Sequence, residues 1–237
     1  MITLDADTHL PRGVVNRLVG TMAHPLNQPV FDPALGRVVE GYGVLQPRIT
    51  PTMPADRDQS LFERTHAGPA GLDPYAAAVS DVYQDLFGEG SYTGKGIYDV
   101  DAFTAALAGR VPENSLLSHD LIEGIFARAG LVTDVELFEE FPADYEVAAA
   151  RQHRWARGDW QLLPFIFEGA ADSKLRGSDP LIGRWKMLDN LRRTLSAPAA
   201  WLTLIAGWTL PTPGRSCGRS SCSSPSRCPP CCPRSPT

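Results

Sequence analysis

Apolar residues in the first 211 positions follow two spacings, one typical of strands and one typical of helices. Apolar and polar residues alternate at the N-terminus, and β-branched or apolar residues concentrate at residues 38–45 and 131–138, which predicts strands. Between these stretches, apolar residues recur three or four positions apart, the spacing of one helix face. Alternating strands and helices predict an α/β domain built around a sheet.

The first helix is predicted directly after the first strand. Leu10, Val14, Leu18 and Met22 recur at four-residue spacing, and Pro11 lies near the helix start. The chain therefore opens with a strand followed by a helix.

The predicted strand at residues 38–45 contains two glycines. Gly41 and Gly43 indicate a bulge or the close approach of another backbone, and Pro47 is expected to end the strand. A helix is predicted from Asp73 to Gly88, and a short strand and a helix capped by Asp101 follow a glycine-rich stretch.

Two further helices are predicted later in the chain. One occupies residues 118–129, with Gly130 beyond its end, and the other occupies residues 144–163, where Pro164 is expected to kink or break it.

Two carboxylates follow the first strand. Ile2 and Leu4 face one side, so Asp5 and Asp7 emerge together at the strand end, where a ligand crevice of an α/β sheet opens. Mg²⁺ and Mn²⁺ prefer oxygen ligands and keep positions free for substrate phosphates. We expect Asp5 and Asp7 to bind such a metal. A solvated turn is the alternative, because Asp-x-Asp occurs by chance in many loops.

A second acidic site lies at a predicted helix start. Ser118 can cap this helix, and Asp120 lies in its first turn, where the helix dipole favours an ionised carboxylate. An ionised carboxylate can act as a general base toward a sugar hydroxyl, so Asp120 is the candidate catalytic residue. Simple dipole stabilisation is the alternative. His119 is expected to be a satisfied polar neighbour rather than a metal ligand, and Glu123 a helix-start acid without a substrate role.

A third candidate site is one helix face. Arg151, Arg154, Trp155 and Gly158 fall on one stripe, with Gln152 beside it. A guanidinium can hold a diphosphate, and an indole can stack on a pyranose ring. A solvated surface helix is the alternative.

Residues 88–96 form the glycine-rich stretch, which permits close contact with a ligand. It lacks the spacing and the Lys-Ser/Thr ending of a nucleotide-binding P-loop. We expect Gly94 and Lys95 to contact the substrate or its diphosphate.

The composition changes abruptly after Leu210. All five cysteines lie in residues 212–237, a segment without acids or large apolar residues that cannot form a core. We expect this tail to be disordered or translated out of frame. Removing its four arginines from the 22 basic residues leaves 18 against 27 acidic residues, a formal charge of about −9 for the body. An acidic body argues against a nucleic acid partner.

An uncharged run of 14 residues occupies residues 197–210, preceded by Arg192 and Arg193. A membrane span needs about 20 residues, so the run predicts the first part of a transmembrane helix with the arginines on the cytoplasmic side. A buried core helix is the alternative. Because Met1 leads straight into a strand, we expect no signal peptide and a body exposed to the cytosol.

The three sites resemble signatures of one enzyme class. LDADT, SHD and RQHRW, at residues 4–8, 118–120 and 151–155, resemble the Asp-x-Asp, Thr-Glu-Asp and Gln-x-x-Arg-Trp motifs of processive, membrane-embedded family 2-type glycosyltransferases. Longer strings at residues 41–48, 88–98 and 151–160 are similar to the glycosyltransferase domain of the cyclic β-1,2-glucan synthases. The similarity covers about residues 1–210.

This resemblance implies a partial glycosyltransferase A-type fold with a mixed sheet, followed by an interfacial helix and the start of a transmembrane helix. It implies an inverting transfer from UDP-glucose to a glucan acceptor, with Mg²⁺ or Mn²⁺, on the cytoplasmic side of a bacterial inner membrane. The corresponding domains are residues 1–163, the partial catalytic domain, residues 164–211, the interfacial and membrane segment, and residues 212–237, the tail.

The resemblance also assigns roles by position. Asp5 and Asp7 would hold metal and UDP, Asp120 would be the base, and Arg154 with Trp155 would serve the diphosphate and acceptor. Arg151 stands where the general signature has glutamine, and Gln152 follows it, so both remain candidate substrate residues. The Ser-His of the second motif is also similar to the linear periplasmic glucan glucosyltransferases.

The chain begins at the strand that carries Asp5, whereas this fold places earlier strands of the nucleotide site before it. We therefore expect a fragment, truncated at both ends, with little or no activity alone. A metal-dependent nucleotidyltransferase and a noncatalytic relic of a broken gene are the remaining alternatives.

Overall fold

The computed structural model describes residues 1–52, 59–66, 82–110, 116, 119–167 and 181–209. Within them lie the strands β1 Ile2–Thr3, β2 Thr8–His9, β3 Val30–Asp32, β4 Arg37–Glu40, β5 Val44–Pro51, β6 Gly96–Tyr98 and β7 Ala129–Glu139. The helices are α1 Val14–Met22, α2 Leu61–His66, α3 Val82–Phe87, α4 Val100–Leu107, α5 Asp120–Phe126, α6 Tyr145–Gln161, α7 Leu163–Phe167 and α8 Leu181–Thr209.

Five of the strands form one mixed sheet in the order β1-β6-β5-β7-β2. β5 and β7 are parallel, whereas the other three pairings are antiparallel. β3 and β4 form a separate antiparallel pair. The α/β class and the mixed sheet expected from the sequence are therefore confirmed.

The first two strands lie at opposite edges of this sheet. β1 pairs with β6 at one edge and β2 pairs with β7 at the other, so the segment between Thr3 and Thr8 crosses the end of the sheet. The backbone N–H of Thr8 donates to the carbonyl of Asp5 at 3.1 Å, which closes a turn within the crossing. Asp5 and Asp7 are therefore carried across the strand ends between them.

Helices cover both faces of the sheet. Successive residues of a strand point to opposite faces, and Val44 packs with α4 and α5 whereas Leu45 packs with α1. Phe126 and Ile122 of α5 and Leu18 of α1 are fully buried in these two layers. The helix predicted around Val14, Leu18 and Met22 is confirmed, although Leu10 precedes it.

Four local predictions were wrong, two of them in strands. The strand predicted at residues 38–45 is two strands, β4 and β5, separated by Gly41 and Gly43. The backbone of Gln28 approaches Gly41 closely, since a β-carbon on Gly41 would lie 1.9 Å from the carbonyl oxygen of Gln28. Pro47 does not end β5. The strand continues past it because a register shift between Pro47 and Arg48 opens the ladder where proline lacks a donor.

Helix ends account for the other two corrections. Asp99, not Asp101, caps α4, and its side chain accepts from the Ala102 N–H at 2.9 Å because the capping residue must lie outside the first turn. α5 ends at Phe126 rather than near Gly130, and Arg128 adopts the left-handed conformation with a φ of 55°.

The later elements agree more closely with the sequence. The predicted strand at residues 131–138 lies inside β7, and Asp144 is the N-cap of α6, which ends before α7 and its Pro164. Gly88 follows α3 with a φ of 69°. The start of that predicted helix at Asp73, the cap Ser118 and the tail at residues 212–237 lie outside the described residues.

The chain divides into two compact units, residues 1–194 and 195–237, so α8 contributes to both. The described part of the second unit is the helical stretch 195–209, whose exposed large apolar side chains are Leu195, Trp201, Leu202, Leu204, Ile205 and Trp208. None of the described helices is both long enough and apolar enough to cross a membrane. The predicted division at residue 163 stays a prediction.

Candidate functional site

Three carboxylates meet where the crossing segment reaches the end of β7. Pairing of Thr8 with Glu139 brings the last residue of β7 beside the crossing segment, and the Glu140 N–H donates to the carbonyl of Asp7 at 3.1 Å. One carboxylate oxygen each of Asp5, Asp7 and Glu139 lies within 4.8 Å of the others. A set of three carboxylates in this arrangement fits a divalent cation that prefers oxygen ligands.

Two cations are interleaved with these acids. The Lys95 ammonium lies 3.1 Å from Oδ2 of Asp5 and 2.8 Å from Oε2 of Glu139. The Arg151 guanidinium lies 2.7 Å from Oδ2 of Asp7 and 3.1 Å from Oε1 of Glu139. Glu139 therefore joins the two cations, one through each of its oxygens.

The electrostatics of Lys95 follow from this arrangement. Its side chain is 8% exposed, and burial by itself acts to lower the pKa of the ammonium. The hydrogen bonds and negative charges of Glu139 and Asp5 outweigh that effect, so the pKa of Lys95 is raised above its ordinary value. Lys95 is thus held as a cation against the predicted metal ligands.

The glycine-rich stretch connects this cluster to the candidate base. Gly94 has a φ of 89°, and a β-carbon there would lie 3.0 Å from Oδ2 of Asp120. The buried side chain of Gln46 accepts hydrogen bonds from the backbone N–H of Thr93 at 2.6 Å and from its hydroxyl at 3.1 Å. Because Lys95 follows Gly94, the loop brings the carboxylate of Asp120 and the opening acids into one neighbourhood.

Tyr92 belongs to the same loop, and its side chain is buried. Its hydroxyl is 3.2 Å from Oγ1 of Thr3 on β1. Burial raises the pKa of Tyr92 to about 12, and the negative charges of Glu123 and Asp120 add to the rise. Tyr92 is therefore a neutral hydrogen-bonding group that ties the loop to β1 at ordinary pH.

Two neighbours of Asp120, His119 and Glu123, contact each other at the start of α5. Nδ1 of His119 lies 2.9 Å from Oε1 of Glu123, one helical turn away, as expected of a satisfied polar residue. Burial raises the pKa of Glu123, a rise that the hydrogen bond from His119 opposes and the charge of Asp120 reinforces.

The predicted stripe on α6 is divided by the structure. Arg151 faces the acids, and its guanidinium carbon lies 5.9 Å from the ring centre of Trp155, which is 45% exposed. Gln152 and Arg154 are exposed, and the structure does not bring either of them into the ion-pair network of the described residues. The roles of all the predicted site residues stay predictions.

Glu139 is the site residue that the sequence reasoning missed. It is an unremarked acid in a Glu-Glu pair at the end of a predicted strand, and no motif singled it out. The available signal was its position, since acids at strand ends were the basis for choosing Asp5 and Asp7. The pairing of β2 with β7 could not be read from local sequence.

Comparison with known proteins shows what this chain is similar to in sequence. No family model matches the chain. The cyclic beta-(1,2)-glucan synthase NdvB of Rhizobium meliloti (strain 1021) is 54% identical to it over 216 residues, which cover 90% of this chain. This chain is homologous to a segment of that synthase. The matched segment is 7% of the synthase's own length.

This relationship confirms the resemblance to the cyclic β-1,2-glucan synthases. It extends over 90% of this chain, a share large enough to include the glycine-rich stretch, α5 and α6.

Proposed function

We propose that this chain supplies metal, diphosphate and base residues of a glucosyltransferase that transfers glucose from UDP-glucose to a growing β-1,2-glucan. One observation carries the proposal: Lys95 contacts Asp5 while its neighbour Gly94 packs against Asp120, so two of the predicted sites are adjacent. Arg151 contacts Asp7 and adds the third. The name of the homologous synthase supports the class of product.

Asp5, Asp7 and Glu139 would hold Mg²⁺ or Mn²⁺. Their chemistry fits, because three carboxylates converge within 4.8 Å. A divalent cation bound there supplies stabilisation of the charge that develops on a departing diphosphate. Three acids against the two cations Lys95 and Arg151 leave a formal charge of about −1, which favours a further cation.

Asp120 would act as the general base. It accepts the proton of an acceptor hydroxyl while that oxygen forms a bond to the anomeric carbon of glucose and the bond from that carbon to UDP breaks. Attack from the face opposite UDP inverts the anomeric configuration. The contact of Asp120 with Gly94 supports this role, because a glycine lets donor and acceptor approach the carboxylate closely.

Lys95 and Arg151 would bind the diphosphate. Both already face carboxylate oxygens, and phosphate oxygens present similar acceptors. The half-exposed ring of Trp155 would stack on a glucose unit, beside the cation of Arg151. Gln152 and Arg154 would contact the substrate from the exposed side of α6.

The wider assignments belong to the same proposal. The chain would be part of a glycosyltransferase A-type domain on the cytoplasmic side of a bacterial inner membrane, with the apolar end of α8 directed to that membrane. The chain alone would show little or no transfer activity. Glucose transfer from UDP-glucose by the isolated chain would contradict this last statement. Micromolar UDP-glucose binding, measured by calorimetry with Mn²⁺, would show that the donor site is functional in the isolated chain.

A metal titration tests the site in the isolated chain. Electron paramagnetic resonance of Mn²⁺ should show a bound ion whose affinity falls about tenfold or more in Asp5→Asn and Asp7→Asn, since each removes a charged ligand. Glu146→Gln, which changes an exposed acid on α6, is the matched control and should leave the affinity unchanged. Equal affinities in all four proteins would exclude this metal site.

A chimera tests the reaction. The 216 matched residues of this chain would replace the matched segment of the Rhizobium meliloti synthase, and glucan formation from radiolabelled UDP-glucose would be measured. Asp120→Asn in the chimera should lower the rate by about 100-fold or more, as expected for loss of a general base. Asp101→Asn is the control, because Asp101 is an exposed acid in the first turn of α4. Equal loss in both variants would contradict the assignment of Asp120.

A further inference from the structure

A buried lysine lies at the base of the glycine-rich loop, residues 88–96. Lys186 of α8 is 3% exposed, and its ammonium donates to the backbone carbonyls of Gly90 at 2.6 Å and Glu89 at 3.2 Å. The same nitrogen lies 5.1 Å from the ring centre of Tyr83. Burying an ammonium is costly unless it is well compensated, so its place in the core calls for a role beyond packing.

The position of Lys186 is set by its own helix. A β-carbon on Gly183 would lie 2.9 Å from the side chain of Ile125, so α8 and α5 are in close contact at this level. Met187, which follows Lys186 in the chain, is buried in the core layer that contains Ile125. Close packing against α5 therefore fixes the part of α8 from which the Lys186 side chain extends.

Two other cations hold the same end of the loop. Arg128 donates to the carbonyl of Gly88 at 3.2 Å, and Arg37 forms an ion pair with the carboxylate of Glu89. Lys186 differs from them because it holds two successive main-chain carbonyls at once. Glycines lose more conformational freedom on ordering than other residues, so a loop rich in them depends on such external donors.

The other end of the loop carries the proposed function. Lys95 contacts Asp5 and Glu139 there, and Gly94 contacts Asp120. A displacement of Gly90 would be carried through four residues to Lys95 unless the anchors between them held the tip alone. Those anchors are the contacts of Tyr92 with Thr3 and of Thr93 with Gln46. The two ends are thus joined by a short segment.

We propose that Lys186 is a positioning residue: by fixing the carbonyls of Glu89 and Gly90 it places Lys95 against Asp5 and Glu139. The inference rests on the proposed function for the meaning of that placement. It adds a contribution from α8, which lies outside the three motifs that define the site.

The first measurement is hydrogen exchange of the loop. Lys186→Met keeps the apolar stem and removes the ammonium, and it should speed exchange in residues 90–96 by about tenfold while β5 and β7 keep their protection. Arg157→Met is the control, because it removes the cation of an exposed arginine on α6. It should leave exchange in the loop unchanged.

The second measurement is the affinity for Mn²⁺. If Lys186 only stabilised the fold, its replacement would not be expected to raise this affinity. Lys95→Met removes the cation that competes for Asp5 and Glu139, so Mn²⁺ should bind about tenfold more tightly. Lys186→Met should shift the affinity in the same direction, by about threefold or more. The double variant should bind Mn²⁺ like Lys95→Met alone, because both changes act through one contact.

The outcomes separate this inference from the proposed function. Unchanged exchange and unchanged Mn²⁺ affinity in Lys186→Met would overturn it, and so would faster exchange without any change in affinity. If neither the parent chain nor Lys95→Met binds Mn²⁺, the metal assignment fails, and loop exchange alone decides whether Lys186 orders the loop. If Lys186→Met does not fold, Lys186→Gln, which keeps a donor but no charge, takes its place in the same comparison.

Discussion

Gly94 packs its backbone against the carboxylate of Asp120, so closely that a β-carbon at Gly94 would lie 3.0 Å from Oδ2 of Asp120. The backbone of Gly94 has a φ of 89°, a conformation that other residues rarely adopt. The contact therefore combines a steric restriction with a conformational one.

Gly94→Ala should lower the free energy of unfolding by about 1–3 kcal/mol, because alanine would be strained at this φ. Gly20→Ala is the matched control: Gly20 lies in α1 with open space around it, and the change should stabilise the chain by about 0.5–1 kcal/mol. Urea unfolding followed by circular dichroism measures both. A stabilising effect of Gly94→Ala would contradict the described loop conformation.

The ion pair of Arg37 and Glu89 should be much more sensitive than a surface pair. Their side chains are only 10% and 13% exposed, so Arg37→Met leaves a buried carboxylate without its cation and should cost about 3–5 kcal/mol. The pair of Arg17 and Asp134 is 55% and 67% exposed, and Arg17→Met should cost about 0–1 kcal/mol.

Chemical denaturation of the two variants gives this comparison, and the double variant Arg37→Met with Glu89→Leu should recover part of the loss because it removes the unpaired charge. Similar costs for Arg37→Met and Arg17→Met would show that the buried pair is unimportant for stability.

Arg151 should not be replaceable by lysine. Its guanidinium uses two nitrogens to reach Asp7 and Glu139 separately, whereas an ammonium is a point charge. Arg151→Lys should therefore destabilise the chain by about 1–2 kcal/mol, and Arg154→Lys, at an exposed position on the same helix, by less than about 0.5 kcal/mol. Thermal unfolding at low ionic strength distinguishes them, and equal melting temperatures would speak against the bridging geometry.

Glu123 should make stability depend on pH. Burial raises its pKa in the folded state, so the folded chain holds a proton that the unfolded chain has already released. The contribution of this group to stability therefore falls as the pH rises from about 4.5 through the raised pKa. The facing groups are His119, whose hydrogen bond opposes the rise, and Asp120, whose charge adds to it.

Glu123→Gln should remove this fall, so its stability relative to the parent chain should increase between pH 4.5 and pH 7. Urea unfolding at several pH values measures the difference, with the exposed Glu146→Gln as control. A parallel pH dependence of Glu123→Gln and the parent chain would contradict the direction given for this pKa.

Local pattern was a good guide to the elements but a poor guide to their ends. α1, β7 and α6 were predicted because apolar spacing and a nearby cap or proline report short-range preferences. The end of α5 was missed because Arg128 adopts the left-handed conformation usually given to glycine. Its guanidinium donates to the carbonyls of Val39 and Gly88, two distant partners that no local signal reveals.

The sequence alone singled out four candidate site residues by their positions in spaced motifs: Asp5, Asp7, Asp120 and Arg151. Motif spacing and helix periodicity are properties of neighbouring positions, so they can be recognised without the fold. Only the tertiary structure decided that Glu139 joins Lys95 to Arg151, and that Lys186 holds the loop before Lys95. Those contacts depend on β1 and β2 taking opposite edges of the sheet and on α8 packing against α5. Strand order and helix packing are selected by the burial of the whole chain, so no short stretch of residues contains them.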